Sequence, residues 1–292
     1  MGIAYYGAKS GPTVFYLHGF PGCRFSGVFF DGPGKKLGAR VIAVERPGIG
    51  ISSPQPGRKP QDHANDIREL AEHLGLKSYG IIGVSGGGLY ALACAYFLPE
   101  QQLTGVSIVC GMGPADIGFQ GMNWSNWLCF KGLFYFPSLV RWLQTKVATA
   151  LQSHSKEKTE EIVRDQLSRR TPNSYDWLGL WGKDAAVLAD PDFVLMLLDF
   201  YREHYKQGVD GFMDDGRIFT SDPSFCLQDI RASLPIQMWY SRQDTNVPLR
   251  MGEAIAARLK SRPEFYIIED ETHLGLVLKY RHNALERLLE KM

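Results

Sequence analysis

Six short apolar runs constrain this chain more than any other feature. They fall at 13–17 (TVFYL), 41–44 (VIAV), 81–84 (IIGV), 106–110 (VSIVC), 236–240 (IQMWY) and 265–268 (FYII). Apolar and polar residues do not alternate cleanly along them, as they would in a strand with one wet face, so both faces need cover. Helical patterns stand between them. Residues 62–74 place Ile67, Leu70, Ala71 and Leu74 on one face, with Gly75 as a C-cap. Residues 89–98 form a small-residue helix stopped by Pro99, and 249–259 and 276–289 close the chain. Strands alternating with helices predict an α/β fold: a mostly parallel sheet with helices on both faces.

The rhythm breaks between about Pro114 and Phe225. Five of the six tryptophans lie there: Trp124, Trp127, Trp142, Trp177 and Trp181. The segment reads as mostly helical. Its charged stretch, 153–170, carries Glu160–Arg164 and Asp165–Arg169 at i,i+4 spacing and is expected to be a solvated helix. The organisation expected is an α/β core, 1–113 and 230–292, interrupted by a helical cap insertion at 114–229.

Composition excludes several classes. Lys plus Arg is 32 and Asp plus Glu is 31, a net charge of +1, so no overall field favours nucleic acid or an anionic membrane. The five cysteines are dispersed and form no CxxC pair, which argues against a disulfide framework or a thiolate zinc site and suits a reducing, cytoplasmic setting. The opening MGIAYYGAKSG lacks the basic and apolar regions of a signal peptide. The most apolar stretch, 127–143, is interrupted by Lys131, Pro137 and Arg141. A membrane span, needing about 20 predominantly apolar residues, is not expected.

The chemistry centres on Gly83-Val84-Ser85-Gly86-Gly87, a GxSxG between a strand and a helix. Such a turn is tight and strained, so small flanking residues are a steric requirement, and it aims the next helix's N-terminus at a developing oxyanion. On this turn alone three readings stand open. Gly86 to Ala91 also fits GxGxxA, a dinucleotide loop, and the glycines could be purely structural. The dinucleotide reading wants an acid ending the next strand, and the first candidate, Asp116, lies beyond Pro114. Three further features favour a nucleophile: His18-Gly19-Phe20-Pro21-Gly22 after the first core strand, Asp244 in a loop after a later one, and His273 in a loop after the last. Ser, Asp and His in that chain order, each on a loop after a core strand, is what a serine hydrolase needs on this scaffold.

At HGFPG (18–22), ERPGIGIS (45–52), GVSGG (83–87), QDTNVP (243–248) and ETHLG (271–275), the sequence resembles the α/β-hydrolase fold superfamily. The likeness covers residues 3–113 and 230–292. It implies Ser85 as nucleophile, His273 as general base, Asp244 as the acid that orients it, and the backbone N–H groups of Phe20 and Gly86 as oxyanion hole. It implies no cofactor, and no histidine pair has metal-ligand spacing. Two departures stand out: residues 3–6 can supply only one strand of the family's N-terminal hairpin, and Glu45 stands where Asp is common.

The expected activity is hydrolysis of an ester or lactone of a mainly apolar small molecule through an acyl-enzyme. The cap tryptophans, with Phe130, Phe134, Tyr135 and Phe136, are the material for an apolar wall over Ser85, most of them expected to pack the cap's helices together and a few to face the cleft. A proline iminopeptidase-like peptidase is the alternative, because Asp184, Asp210, Asp214 and Asp215 could hold a substrate amine. A C–C bond hydrolase is another. A ligand-binding receptor or accessory protein on a hydrolase scaffold is the reading from a different class.

Overall fold

A computed structural model describes residues 1–169 and 183–292. Seven strands form one sheet: β1 (Ile3–Gly7), β2 (Thr13–Leu17), β3 (Arg40–Val44), β4 (Tyr79–Val84), β5 (Leu103–Val109), β6 (Ile236–Ser241) and β7 (Glu264–Ile268). Their order is β1-β3-β2-β4-β5-β6-β7. Among these strands only β1 is antiparallel; it pairs with β3, Ile3 opposite Val44, at one edge of the sheet.

The absence of alternation has the expected consequence. Phe15 and Leu17 pack on one face with α2 (Pro60–His73) and α3 (Gly87–Phe97). Val14 and Tyr16 pack on the other, with α11 (His273–Leu289). Both sets are buried, so each strand contributes apolar area twice, at about 25 cal/mol per Å² removed from water. The helices α1 (Asp31–Leu37) and α10 (Leu249–Arg258) complete the layers. The sequence DGPGKKL of α1 carries two glycines and a proline, which is why periodicity misses it.

Between β5 and β6 run α4 (Trp124–Tyr135), α5 (Pro137–Ser153), α6 (Lys156–Ser168), α7 (Lys183–Val187), α8 (Pro191–His204) and α9 (Asp210–Thr220). The charged stretch 153–170, expected as a solvated helix, contains α6: Ser155 Oγ accepts the Lys158 N–H to cap it, and the Glu160–Arg164 and Asp165–Arg169 pairs lie on its exposed surface. Two helices start earlier than their apolar pattern suggests. α3 begins at Gly87 and α11 begins at His273, so the candidate nucleophile and base both stand at helix N-termini.

Candidate active site

Ser85 occupies the turn between β4 and α3 with φ of 53°, the left-handed region that costs a non-glycine residue energy. Three backbone bonds hold it there. Its N–H donates to Val109 O at 3.0 Å, and its carbonyl accepts from Gly88 N and Met112 N at 2.9 and 2.8 Å. A Cβ at Gly83 would lie 2.5 Å from Gly87 O and 2.7 Å from Ala91 Cβ, so the turn closes only with glycine there.

His273, the first residue of α11, is buried beside Asp244, which follows β6. Its Nδ1 lies 2.7 Å from Asp244 Oδ2. The other carboxylate oxygen, Oδ1, accepts the Asn246 and Val247 N–H groups at 2.8 and 2.9 Å, so Asp244 is fixed in place. Asp116 is spent elsewhere, in an ion pair with Arg258 at 2.5 Å. Burial disfavours the imidazolium, but the Asp244 carboxylate outweighs it and holds the His273 pKa above its ordinary value. His273 Nε2 faces Cys110 Sγ at 3.9 Å. Burial pushes the Cys110 thiol up, so it stands as a neutral neighbour, in contact also with the Ser85 backbone. Among the described residues no hydrogen bond joins Ser85 Oγ to His273, and such contacts commonly stay loose until substrate arrives.

Cys110, Asp244 and His273 bring a thiol, a carboxylate and an imidazole within 4.8 Å of one another. Both Asp244 oxygens already accept protein N–H groups, one of them from His273.

Phe20 and Gly86 approach closely: a Cβ at Gly86 would lie 2.7 Å from Phe20 Cβ and 3.0 Å from Phe20 N. Among the described residues neither Phe20 N–H nor Gly86 N–H donates to a protein acceptor. Two unspent donors beside the elbow serine are what an oxyanion hole requires. The turn carrying Phe20 is braced at three carbonyls. Arg46 donates to His18 O and Gly19 O at 2.7 and 2.8 Å, and His204 of α8 meets Gly22 O through Nδ1 at 2.8 Å. Burial pushes the His204 pKa down to about 4, so the ring is neutral and Nδ1 donates.

The sequence carries no signal for this role of His204. Of the four acids that could have held a substrate amine, Asp184 and Asp215 are buried, while Asp210 and Asp214 lie at the surface. Asp215 is wholly buried between Arg46 and Arg58 and accepts the Tyr90 hydroxyl at 2.6 Å. Asp184 accepts Thr272 Oγ1 at 2.5 Å and the N–H groups of Leu274 and Gly275 at 3.0 and 3.3 Å, capping the helix that begins at His273. Asp210 pairs with Arg141 and Asp214 with Arg217. Glu45 is buried and bound by Arg24, which also binds Glu203 of α8, a second ionic link of the same kind.

The aromatic wall is a correction. Phe130 is buried and stacks on Phe119 with centroids 4.8 Å apart, and Phe20 touches Phe130, Phe212 and Phe219. Trp124, Trp127, Trp142, Phe134, Tyr135 and Phe136 instead face outward. Trp177 and Trp181 lie outside the described residues. The signal for the aromatic cluster around Phe20 was the spacing Phe212–Phe219, two helical turns apart on α9.

The model of the alpha/beta hydrolase fold family matches residues 12–280. The chain belongs to that family. A curated relative, the magnesium-chelatase 30 kDa subunit of Rhodobacter capsulatus, is 33% identical over 107 residues, 35% of this chain and 36% of the relative; the match thus spans about a third of that protein's length. Among solved structures, an alpha/beta hydrolase fold protein from Nakamurella multipartita is 22% identical, with TM-score 0.66 and coverage of 99% of this chain and 95% of that one. A bromoperoxidase from Bacillus anthracis gives TM-score 0.68 at 17% identity, covering 99% and 94%. An esterase from Exiguobacterium antarcticum gives 0.63 at 17% identity, covering 99% and 93%. These likenesses show the α/β-hydrolase fold.

Proposed function

We propose that the protein is a carboxylesterase-like serine hydrolase acting on an ester or lactone of a mainly apolar small molecule. Ser85 Oγ attacks the carbonyl carbon as His273 Nε2 takes its proton. Asp244 holds Nδ1–H and stabilises the imidazolium. The carbonyl oxygen, now negative, accepts from Phe20 N–H and Gly86 N–H. Collapse expels the alcohol, which receives the proton from His273. Water, deprotonated by His273, then releases the acid from Ser85. The carrying observation is the buried His273–Asp244 bond at 2.7 Å, joined through Cys110 to the elbow that holds Ser85.

Residues 114–229 act in this reading as a cap over a core of 1–113 and 230–292. Phe130, Phe212 and Phe219 around Phe20 support an apolar acyl site. The iminopeptidase alternative is weakened, since Asp184 and Asp215 are buried and engaged by protein partners, which leaves only the surface acids Asp210 and Asp214, paired with Arg141 and Arg217. The test compares kcat/KM along aryl esters of increasing acyl length with that for a prolyl arylamide. A rise along the ester series, up to about 0.8 kcal/mol per buried methylene, is expected. Faster cleavage of the arylamide, with no gain along the esters, would overturn the assignment.

A further inference from the structure

The outer surface of α4 and α5 reverses the usual rule for a surface helix. On α4 the exposed large residues Trp124, Trp127, Leu128, Phe134 and Tyr135 stand at i, i+3, i+4, i+10 and i+11, one face of a helix. On α5 Leu139, Trp142, Leu143 and Val147 repeat the spacing at i, i+3, i+4 and i+8. The opposite faces are also apolar, burying Phe130 and Leu133 on α4 and Val140 and Ala148 on α5. A helix with a second apolar face left on the outside has surface to bury against an apolar partner. Phe136, at the corner joining the two helices, is 66% exposed. An apolar patch on this scale marks an interaction surface.

Charge identifies the partner. Residues 117–156 contain no Asp or Glu and four cations, Lys131, Arg141, Lys146 and Lys156. Arg141 and Lys156 are paired with Asp210 and Asp199. Among the described residues, Lys131 and Lys146 have no carboxylate partner. Instead Lys131 Nζ lies 5.8 Å from the ring centroids of both Trp127 and Tyr135, and Lys146 Nζ 5.8 Å from that of Trp142. The near-neutral net charge of the whole chain conceals this segregation. Trp and Tyr with basic neighbours suit the boundary between headgroups and acyl chains, where rings enter and ammonium groups meet lipid phosphate. A second copy would bring like charges together. No helix among the described residues is long and apolar enough to cross a membrane, which fits a hairpin lying in the interface.

We propose that the α4–α5 face docks the protein peripherally on a lipid bilayer bearing anionic headgroups. Docking does not depend on the chemistry at Ser85, so Ser85→Ala should bind vesicles like the parent whether or not the hydrolase reading holds.

The experiment is co-sedimentation of the full chain with phosphatidylcholine vesicles, with and without phosphatidylglycerol at roughly one lipid in three. The parent should pellet with the anionic vesicles, less so as salt rises. Lys131→Gln with Lys146→Gln should cut that preference by roughly 10- to 30-fold. Trp127→Ser with Trp142→Ser should weaken binding to either vesicle by roughly tenfold or more. Circular dichroism and thermal unfolding should match the parent for both variants, because all four side chains lie on the outer face. Failure of the folded parent to pellet with anionic vesicles would overturn the proposal. So would a parent that ignores vesicles but forms a dimer that the tryptophan variant splits, which would make the face a self-association surface.

Discussion

Asp215 on α9 and Arg46 on the loop after β3 form an ion pair at 2.7 Å with both side chains buried. Arg46 also donates to the carbonyls of His18 and Gly19, the two residues before the candidate oxyanion donor Phe20. Arg58 and Tyr90 complete the cage around Asp215. A helix of the insertion is thereby tied to the turn that would stabilise the transition state.

Removing that carboxylate strands two buried guanidiniums. Asp215→Ala should cost about 3–5 kcal/mol in denaturant unfolding and lower kcat through a slackened His18–Gly22 turn. Burial alone would raise the Asp215 pKa, but Arg46 and Arg58 hold it well below the carboxylate range. The folded pKa is depressed, so the linked stability is complete above the unfolded value of about 3.9 and is lost as pH falls below it. The gap between the unfolding free energies of parent and variant, measured from pH 3 to 7, should therefore be constant above about pH 4 and begin to narrow toward pH 3, without closing, because the folded carboxylate is still ionised there.

Much of the fold was legible in the sequence because a parallel sheet leaves a strong mark: its strands are apolar on both faces. Helix starts were less legible. The apolar pattern of α11 begins at Leu276, whereas the helix begins at His273, where Asp184, distant in sequence, supplies the cap. The residues expected to form the triad and oxyanion hole are named by local motifs, and the structure brings His273 to Asp244 and Phe20 to Gly86. What braces them is not local. Nothing around Asp215 or His204 signals burial, because their partners lie 169 and 182 residues away. The tryptophans misled for the opposite reason: aromatic density usually means a core, and here it marks an outer face.

The pH dependence follows from His273. Its raised pKa means that the free protein must lose a proton from the ring before it can act as base. The acid limb of kcat/KM should have its midpoint above about 6.5, not at the model-peptide value. Because the folded pKa is raised, the stabilising interaction is complete below about pH 6.5 and is lost as pH rises through that pKa. Asp244→Asn should move the midpoint down and lower turnover by roughly 10⁴-fold. A pH–rate profile of each protein reads both effects.

Gly86 offers a test of the oxyanion donors that leaves Ser85 and His273 unaltered. A methyl group there would press on Phe20 Cβ and on the Phe20 nitrogen. Gly86→Ala should lower kcat by about 10²–10³-fold, as loss of an oxyanion donor does, with a smaller effect on KM. Steady-state kinetics on a short aryl ester separate the two.

Phe130→Ala should open the space between Phe20 and Phe119. A buried phenylalanine removed in this way costs about 3–5 kcal/mol of stability. If the cluster also lines the acyl site, the longer acyl esters should lose more kcat/KM than acetate esters do. Comparing the two ester lengths in the variant checks this.

The central claim is that Ser85 is an activated nucleophile, and covalent labelling tests it most directly. The parent, incubated with a fluorophosphonate and read by intact mass and peptide mapping, should gain an adduct at Ser85, and Ser85→Ala should gain none. An unlabelled parent, or a Ser85→Ala variant labelled as fast as the parent, would contradict the account.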